Sequence, residues 1–395
     1  MTARGYDATF SENIFSQIRG FGEYGFPESH AASFAKLVYV SCWLKCHEPA
    51  CFLAAMLNSQ PMGFYAPSQL VQDARRHGVA VRAVDVTCSA WDCTLEPAVE
   101  TASSLDDVSS SPFALSLSKG LSALPETDFD KLSPNGLPAS ASAAYPGIRP
   151  GQPAVRLGLR LVAGLPEAAA LRITQARAQA PFTSTEELVS RAQLGAREIN
   201  ALAAADALRP LAGHRRQQVW EASAIRPAPA LLKAVPTHET PLVLPETPEG
   251  ENILFDYQAT GLTLRRHPLA LLRPRLARRG LLSAGELNAL PNGREVAACG
   301  IVTVRQQPQT AKGTIFVTLE DETGPVNVIV WKSLRDTQRH EVLHARLLAV
   351  YGVWQRSEES DTREGYGAVR NLVAHRLEDL TPLLGRLGTS SRDFH

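Results

Sequence analysis

No apolar run in the 395 residues is long enough to cross a bilayer, and no signal-peptide pattern stands at Met1. This excludes a spanning helix and predicts a cytoplasmic protein without a membrane partner. Cysteine is scarce, and the six at positions 42, 46, 51, 88, 93 and 299 follow no disulfide-scaffold spacing. Cys42 and Cys46 share a helix face beside His47, but the paired short knuckles of a structural zinc site are missing. No metal site is assigned, and the cysteines are expected to be reduced and buried. Net charge is absent too: 40 Lys plus Arg balance 40 Asp plus Glu. A uniformly basic nucleic-acid binder is thereby excluded, and local patches become the question. Apolar content is ordinary at 44%, so the length predicts roughly two to four domains, each able to bury a core.

The organising stretch is Gly20 to Pro61, GFGEYGFPESHAASFAKLVYVSCWLKCHEPACFLAAMLNSQP. Gly20, Gly22 and Gly25 open it with backbone freedom. Pro27 and Glu28 then suit a helix's first turn. Phe34, Leu37, Val38, Cys42 and Leu44 recur at roughly helical spacing, leaving Lys36 and Lys45 for a wetter face. His47, Glu48 and Pro49 end that helix and Cys51 begins another. A helix N-terminus behind a Gly-rich loop suits a triphosphate, with Ser29 and His30 adding hydroxyl and imidazole contacts. The competing reading is a capped helix with Tyr24 and Phe26 in the core.

YGFPESHAASFAKLVY followed by WLKCHEPACFLAAMLNSQPMGFY resembles the fingers region of bacterial C-family DNA polymerases. PESH and NSQPMGFYAPSQLVQDARRHGV are more similar to their error-prone, damage-induced branch, and the resemblance runs with gaps to the final SRDFH. It implies residues beside the incoming nucleotide and the primer–template end, which is where Ser29 and His30 would act.

Residues 67–85 read as a helix and a short apolar strand, with Ser68 as N-cap and Gly78 as stop. Arg75 and Arg76 belong to a solvated face. Residues 101–153 are rich in Ser, Ala, Pro and Gly and bury too little to fold, so they read as a disordered insertion. Residues 154–225 read as tandem helix–hairpin–helix units, Gly164 making the first hairpin and Ser184 or Thr185 capping the second. Such hairpins meet phosphate through backbone N–H groups. Here the second glycine's place is taken by Pro166, and plain scaffolding is the alternative. Arg172, Arg177, Arg191 and Arg197 make the region basic, with Gly164 and Arg172 nominated for DNA.

Residues 226–290 form a Pro-rich connector and a basic helical segment carrying Arg265, Arg266, Arg273, Arg275, Arg278 and Arg279. They read as surface arginines over apolar stems, the resemblance making Arg265, Arg266 and His267 structural. Residues 291–385 supply five β-rich runs that suit an OB-fold barrel. Such barrels hold single strands with a basic groove and aromatic platforms. Arg305, Lys312, Phe316, Trp331 and Lys332 are the candidates, Phe316 reading equally as core. A tail follows at 386–395.

The predicted class is multidomain α + β. A helical fingers-like region (1–100) and the tandem helix–hairpin–helix region precede a five-stranded OB-fold β-barrel. The clustered aspartates that hold two metal ions for polymerase chemistry have no counterpart, because the resemblance includes no palm. Asp106, Asp107, Asp128 and Asp130 lie in the low-complexity insertion and are not nominated. No catalytic residue and no cofactor are assigned to this chain; Mg2+ is expected for an intact polymerase through its palm. The implied partners are primer–template and single-stranded DNA, a deoxynucleoside triphosphate and accessory translesion proteins. RQQVW at Arg216 to Trp220 does not read as a sliding-clamp peptide. The resemblance implies the C-terminal part of an error-prone polymerase, inactive alone. The alternatives are a stand-alone single-strand binder and a gene remnant.

Overall fold

The computed structural model describes residues 7, 9, 12–16, 28–62, 65–97, 152–224, 242–308, 311–356, 369–389 and 391–394. Helix α1 spans Glu28–His47 and stops where Pro49 opens α2, Pro49–Asn58. Pro at the first helical position costs no hydrogen bond. Contrary to the expected half-buried α1, residues 31–43 are exposed all round, with Leu37, Val38 and Trp43 at 61, 58 and 41%. Helix α3, Pro67–Arg76, starts two residues earlier than a Ser68 cap predicts, because Pro67 occupies the first turn. Ala66, not Ser68, is the N-cap, and its N–H donates to Gln69 Oε1 at 3.1 Å. Gly78 ends the helix at φ +82°, as the sequence anticipates. The six thiols are free, but only Cys93 and Cys299 are buried, and Cys42 and Cys88 are exposed, which corrects the uniform expectation.

Three short strands follow: β1 Val81–Arg82, β2 Thr94–Glu96 and β3 Ala154–Arg156. β3 lies in the middle, parallel to β1 and antiparallel to β2. Glu96 pairs with Ala154, so the chain leaves and re-enters this sheet at one point. Of the predicted insertion at 101–153, residues 101–151 lie outside the described residues. Glu96 accepts from Arg82 and Arg156, and the Arg156 hydrogen bond is the largest influence lowering its pKa.

Helices α4 (Glu167–Gln179), α5 (Thr185–Ala192), α6 (Ala196–Ala204), α7 (Arg209–Ala212) and α8 (Arg215–Ala224) form the helical layer. Ala169, Ala170, Ile173 and Ala176 bury one face of α4, where small side chains allow close approach. Ser184 caps α5 by accepting from Glu187 N–H at 3.1 Å. Glu187 accepts in return from Thr183, whose hydroxyl holds its carboxyl down at about 2. One apolar core joins α2, α3, the small sheet and these helices.

Helices α9 (Glu249–Thr260), α10 (Pro268–Ala277) and α11 (Ala284–Asn288) lead to the barrel. Its strands are β4 (Arg294–Gln306), β5 (Ile315–Glu320), β6 (Pro325–Val330), β7 (Leu347–Arg356) and β8 (Arg370–Asp379). The order β5-β6-β8-β7-β4 closes through β4 pairing with β5. The first half of β4 pairs with β7 and the second with β5, so one long bent strand shuts the barrel. A short β9, Arg392–Phe394, joins β4 in parallel. Between β6 and β7 lie α12 (Lys332–Thr337) and α13 (Arg339–His344). Alternation along β5 and β6 turns Ile315, Val317, Leu319, Val326, Val328 and Val330 inward, as the period-two pattern predicts. A second core on the barrel's outer side packs Leu269, Leu276 and Leu281 against Cys299, Ile301, Leu347 and Ala349.

Two positions make this architecture testable. An added Cβ at Gly352 would lie 1.9 Å from the Val373 carbonyl oxygen, where the β7–β8 register shifts. Gly352→Ala should destabilise the chain by at least about 2 kcal/mol, read as a lowered urea midpoint at unchanged slope. His267 caps α10 by accepting from Leu269 N–H at 3.2 Å. Burial first, then Arg76 and Arg273, push its imidazole down to about 4, against an opposing pull from Glu322. The unfolded imidazole, near 6.5, binds the proton first, so stability is complete above about pH 6.5 and falls as pH drops toward 4. Glu320 and Asp321 shift the other way, raised chiefly by burial. His267→Asn keeps a capping acceptor and both acids, so the difference between the two stability–pH profiles should show the histidine's slope alone.

Candidate nucleic-acid interface

The outer face of the β5–β6 hairpin follows from the same alternation that fills the barrel. With Val317 and Val328 inside, Phe316, Thr318, Asn327 and Ile329 must face outward. Phe316 is opposite Ile329, and Gln306 of β4 is opposite Phe316 on the other side. Trp331 follows β6 directly and is the N-cap of α12, with Lys332 next. Phe316 and Trp331 are 40% and 52% exposed, which settles Phe316 as a surface residue rather than core. Lys312 is exposed in the loop before β5, at φ +49°, followed by Gly313 at φ +89°. A Cβ on Gly313 would meet Lys332 Cδ at 3.4 Å and Arg335 Nη1 at 3.2 Å. Arg335 donates from that nitrogen to the Gly313 carbonyl at 3.2 Å, tying α12 to the loop. Four of the five predicted barrel residues therefore share one end of one face: two aromatic rings flanked by two ammonium groups.

Arg305 is the exception. It was expected on the surface because charges are seldom buried, yet it is 7% exposed. Its guanidinium donates from Nε to Val342 O at 2.6 Å, and also to Ala345 O and Ser391 Oγ. The C-terminal carbonyls of α13 lack intrahelical partners, and Arg305 satisfies them from inside. It is a structural cap, not a groove residue. Gln306, Asn327, Ile329 and Arg335 were missed. The strand residues were readable from the period-two pattern, and Arg335 from its place one turn after Trp331.

In the helical layer Gly164 is exposed at φ +79°, with nothing within 4 Å of where a Cβ would sit. The hairpin it makes leads through Pro166 into α4, whose first residue is Glu167. Pro166 brings no N–H, and the Glu167 carboxylate repels phosphate at the helix end. Arg172 was nominated for DNA, but it donates to Ala192 O at 2.9 Å and to both Glu198 oxygens at 2.9 and 3.1 Å. It braces α4 against α5 and α6. Arg177 is likewise spent on Val86 O and Ser89 O, and Arg191 on Glu187 and Ala180 O, leaving Arg197 exposed. Ser29 and His30 have backbone in the first turn of α1, and their side chains lie outside the described residues.

The basic segment divides cleanly. Arg265 pairs with Asp206, Arg266 with Glu249, Arg273 with Asp321 and Glu322, and Arg279 with Glu378. Arg275 and Arg278 pair with no carboxylate among the described residues and are exposed. No helix among those residues is long and apolar enough to cross a membrane.

Comparison with known proteins agrees with this geometry. A helix-hairpin-helix motif family matches residues 78–218, and an OB-fold nucleic acid binding domain family matches residues 296–380. The chain is 50% identical over 395 residues to the error-prone DNA polymerase of Ralstonia nicotianae, covering 99% of this chain and 32% of that protein. It is 52% identical over 398 residues to the error-prone DNA polymerase of Burkholderia pseudomallei, covering 100% and 32%. The Methylococcus capsulatus error-prone DNA polymerase is 49% identical over 395 residues, covering 100% and 34%. The chain thus spans about a third of the length of the curated relatives it matches.

Proposed function

We propose, from the similarity of this whole chain to one third of the error-prone DNA polymerases, that it is the DNA-handling part of such an enzyme. In this reading the barrel holds unpaired template: Phe316 and Trp331 stack on bases, and Lys312 and Lys332 meet phosphates. The observation that carries it is the exposure of both rings on one face with both lysines beside them. Stacking is sequence-tolerant because every base has a π-face, which suits a protein that must accept altered template. Gly164 and the exposed Arg197 give the helical layer a weaker duplex contact, and Ser29 with His30 border the incoming nucleotide. Recruitment through accessory translesion proteins belongs to the same reading.

The chemistry of nucleotide transfer needs two magnesium ions held by clustered carboxylates. Among the described residues no three metal-ligating side chains come together. These residues therefore do not fit the metal pair, and no step is derived through it. The chain alone should bind DNA without extending a primer.

The test is a salt-titrated binding assay on single-stranded, gapped and duplex DNA. Phe316→Ala with Trp331→Ala should weaken single-strand binding at least about tenfold, at roughly 1–3 kcal/mol per stacked base. Lys312→Glu with Lys332→Glu should lower the log–log salt slope by about 1.4, two phosphates at ~0.7 each. Unchanged affinity and slope in both variants would overturn the reading. Primer extension by the repurified chain with Mg2+ would overturn the inactivity.

A further inference from the structure

Helix α1 is fastened at its C-terminal end and bare along most of its length. Lys45 pairs with Asp73 of α3 at 3.0 Å, and the His47 carbonyl accepts from Gln152 Nε2 at 3.1 Å. Residues 31–43, about 20 Å of helix, are exposed on every side. Lys36 is the one charge in this span. Leu37, Val38, Val40 and Trp43 are 61, 58, 44 and 41% exposed. At about 100° per residue these four spread over roughly 220° of the circumference. A helix apolar over so much of its surface is a helix meant to be buried. Its composition says the same, since Val38, Tyr39 and Val40 are β-branched or aromatic and among the poorer helix formers. Thirteen such residues do not hold a helix in water without tertiary packing.

The distribution of these side chains selects what covers them. A second copy's α1 laid alongside would seal a single stripe and leave Val38 or Trp43 wet. A membrane surface needs a strongly charged face opposite the apolar one, and one lysine does not make it. What fits is a groove that takes the helix in from several sides. This chain matches about a third of each polymerase relative, so two thirds of those polypeptides stand outside the match. We propose that residues 31–43 of α1 insert into an apolar groove of that remaining polymerase body, anchored by Leu37, Val38, Val40 and Trp43. The helix then joins the DNA-handling part to the rest of the enzyme and fixes its own first turn, with Ser29 and His30, against it. This docking rests on the polymerase reading given above, but not on the barrel's contacts with DNA.

The experiment co-expresses the full chain with the part of the Ralstonia nicotianae error-prone polymerase that lies outside the match, as two polypeptides. Two exposed thiols report on the docking: Cys42 within the bare span and Cys88 between β1 and β2. In the isolated chain both should react with a maleimide. In the co-purified complex Cys42 should be protected while Cys88 keeps its free rate. Leu37→Gln with Val40→Gln keeps good helix formers and should weaken the complex at least about tenfold. Val219→Gln with Trp220→Gln, on the exposed side of α8, is the control and should change it less than about twofold. Equal weakening by both double variants, or a complex in which Cys42 still reacts freely, overturns the docking. So does a Cys42 that is already protected in the isolated chain, since another cover is then in place. If the two polypeptides do not co-purify, the same thiols are read in a chimera with this chain in place of the matching third, and a freely reacting Cys42 there overturns it as well. Single-stranded DNA binding by the isolated chain is measured in parallel. If it persists when the docking fails, the barrel reading stands; if both fail, the polymerase reading falls with them.

Discussion

One buried carboxylate sets where the proposed binding face points. Asp321, at the turn between β5 and β6, is 3% exposed. One of its oxygens accepts from Thr323 N–H and Thr323 Oγ1 at 2.7 Å and from Gly324 N–H at 3.0 Å. The other accepts from Ala284 N–H at 2.7 Å and Arg273 Nη2 at 3.2 Å. Burial raises its pKa even so, because desolvation outweighs the donors. The turn, the start of α11 and the middle of α10 thus meet at one charge. A buried charge is tolerable only with its lone pairs filled, so the three elements cannot drift apart independently. Glu320 adds a second tie, facing Arg76 of α3 at 3.7 Å. The hairpin bearing Phe316 and Trp331 is thereby oriented against both the helical layer and the α10 arginines.

Zero net charge and nucleic-acid handling are compatible once the ion pairs are followed. Most arginines here bind protein: Arg156 holds Glu96, Arg215 holds Asp256 and Arg160 holds Asp92. Arg160 also caps Asn58 O at 2.5 Å, and Arg215 reaches Asn252 O at 2.7 Å. The fork geometry of guanidinium suits these multi-carbonyl bridges, whereas lysine offers a point charge. Exposed and without an ion pair among the described residues are Lys312 and Lys332 beside the barrel's two aromatic rings, Arg275 and Arg278 at the end of α10, and single arginines elsewhere such as Arg75 and Arg197.

The features legible in the sequence were the ones set by near neighbours. Gly78 ends α3, Ser184 caps α5, and five alternating strands close into a barrel. The outward phase of Phe316 was in the pattern too, although its exposure was not. The failures among the nominated arginines concern partners far away in the chain. Arg305 finds Val342, Ala345 and Ser391, which are 37, 40 and 86 residues off, and Arg172 finds Glu198 at 26. No local rule separates an arginine that caps a distant helix from one that waits for phosphate. The β-bulge that turns Arg376 outward was equally hidden, since it depends on register against β7 and on Gly352.

Hydrogen–deuterium exchange with and without single-stranded DNA tests the central claim most directly, because it maps the contact without altering a residue. Protection concentrated in 312–318 and 327–332, with the α4 to α6 layer little changed, is the predicted result. Protection confined to the helical layer, with the β5–β6 hairpin exchanging at its free rate, would contradict the assignment of template handling to the barrel.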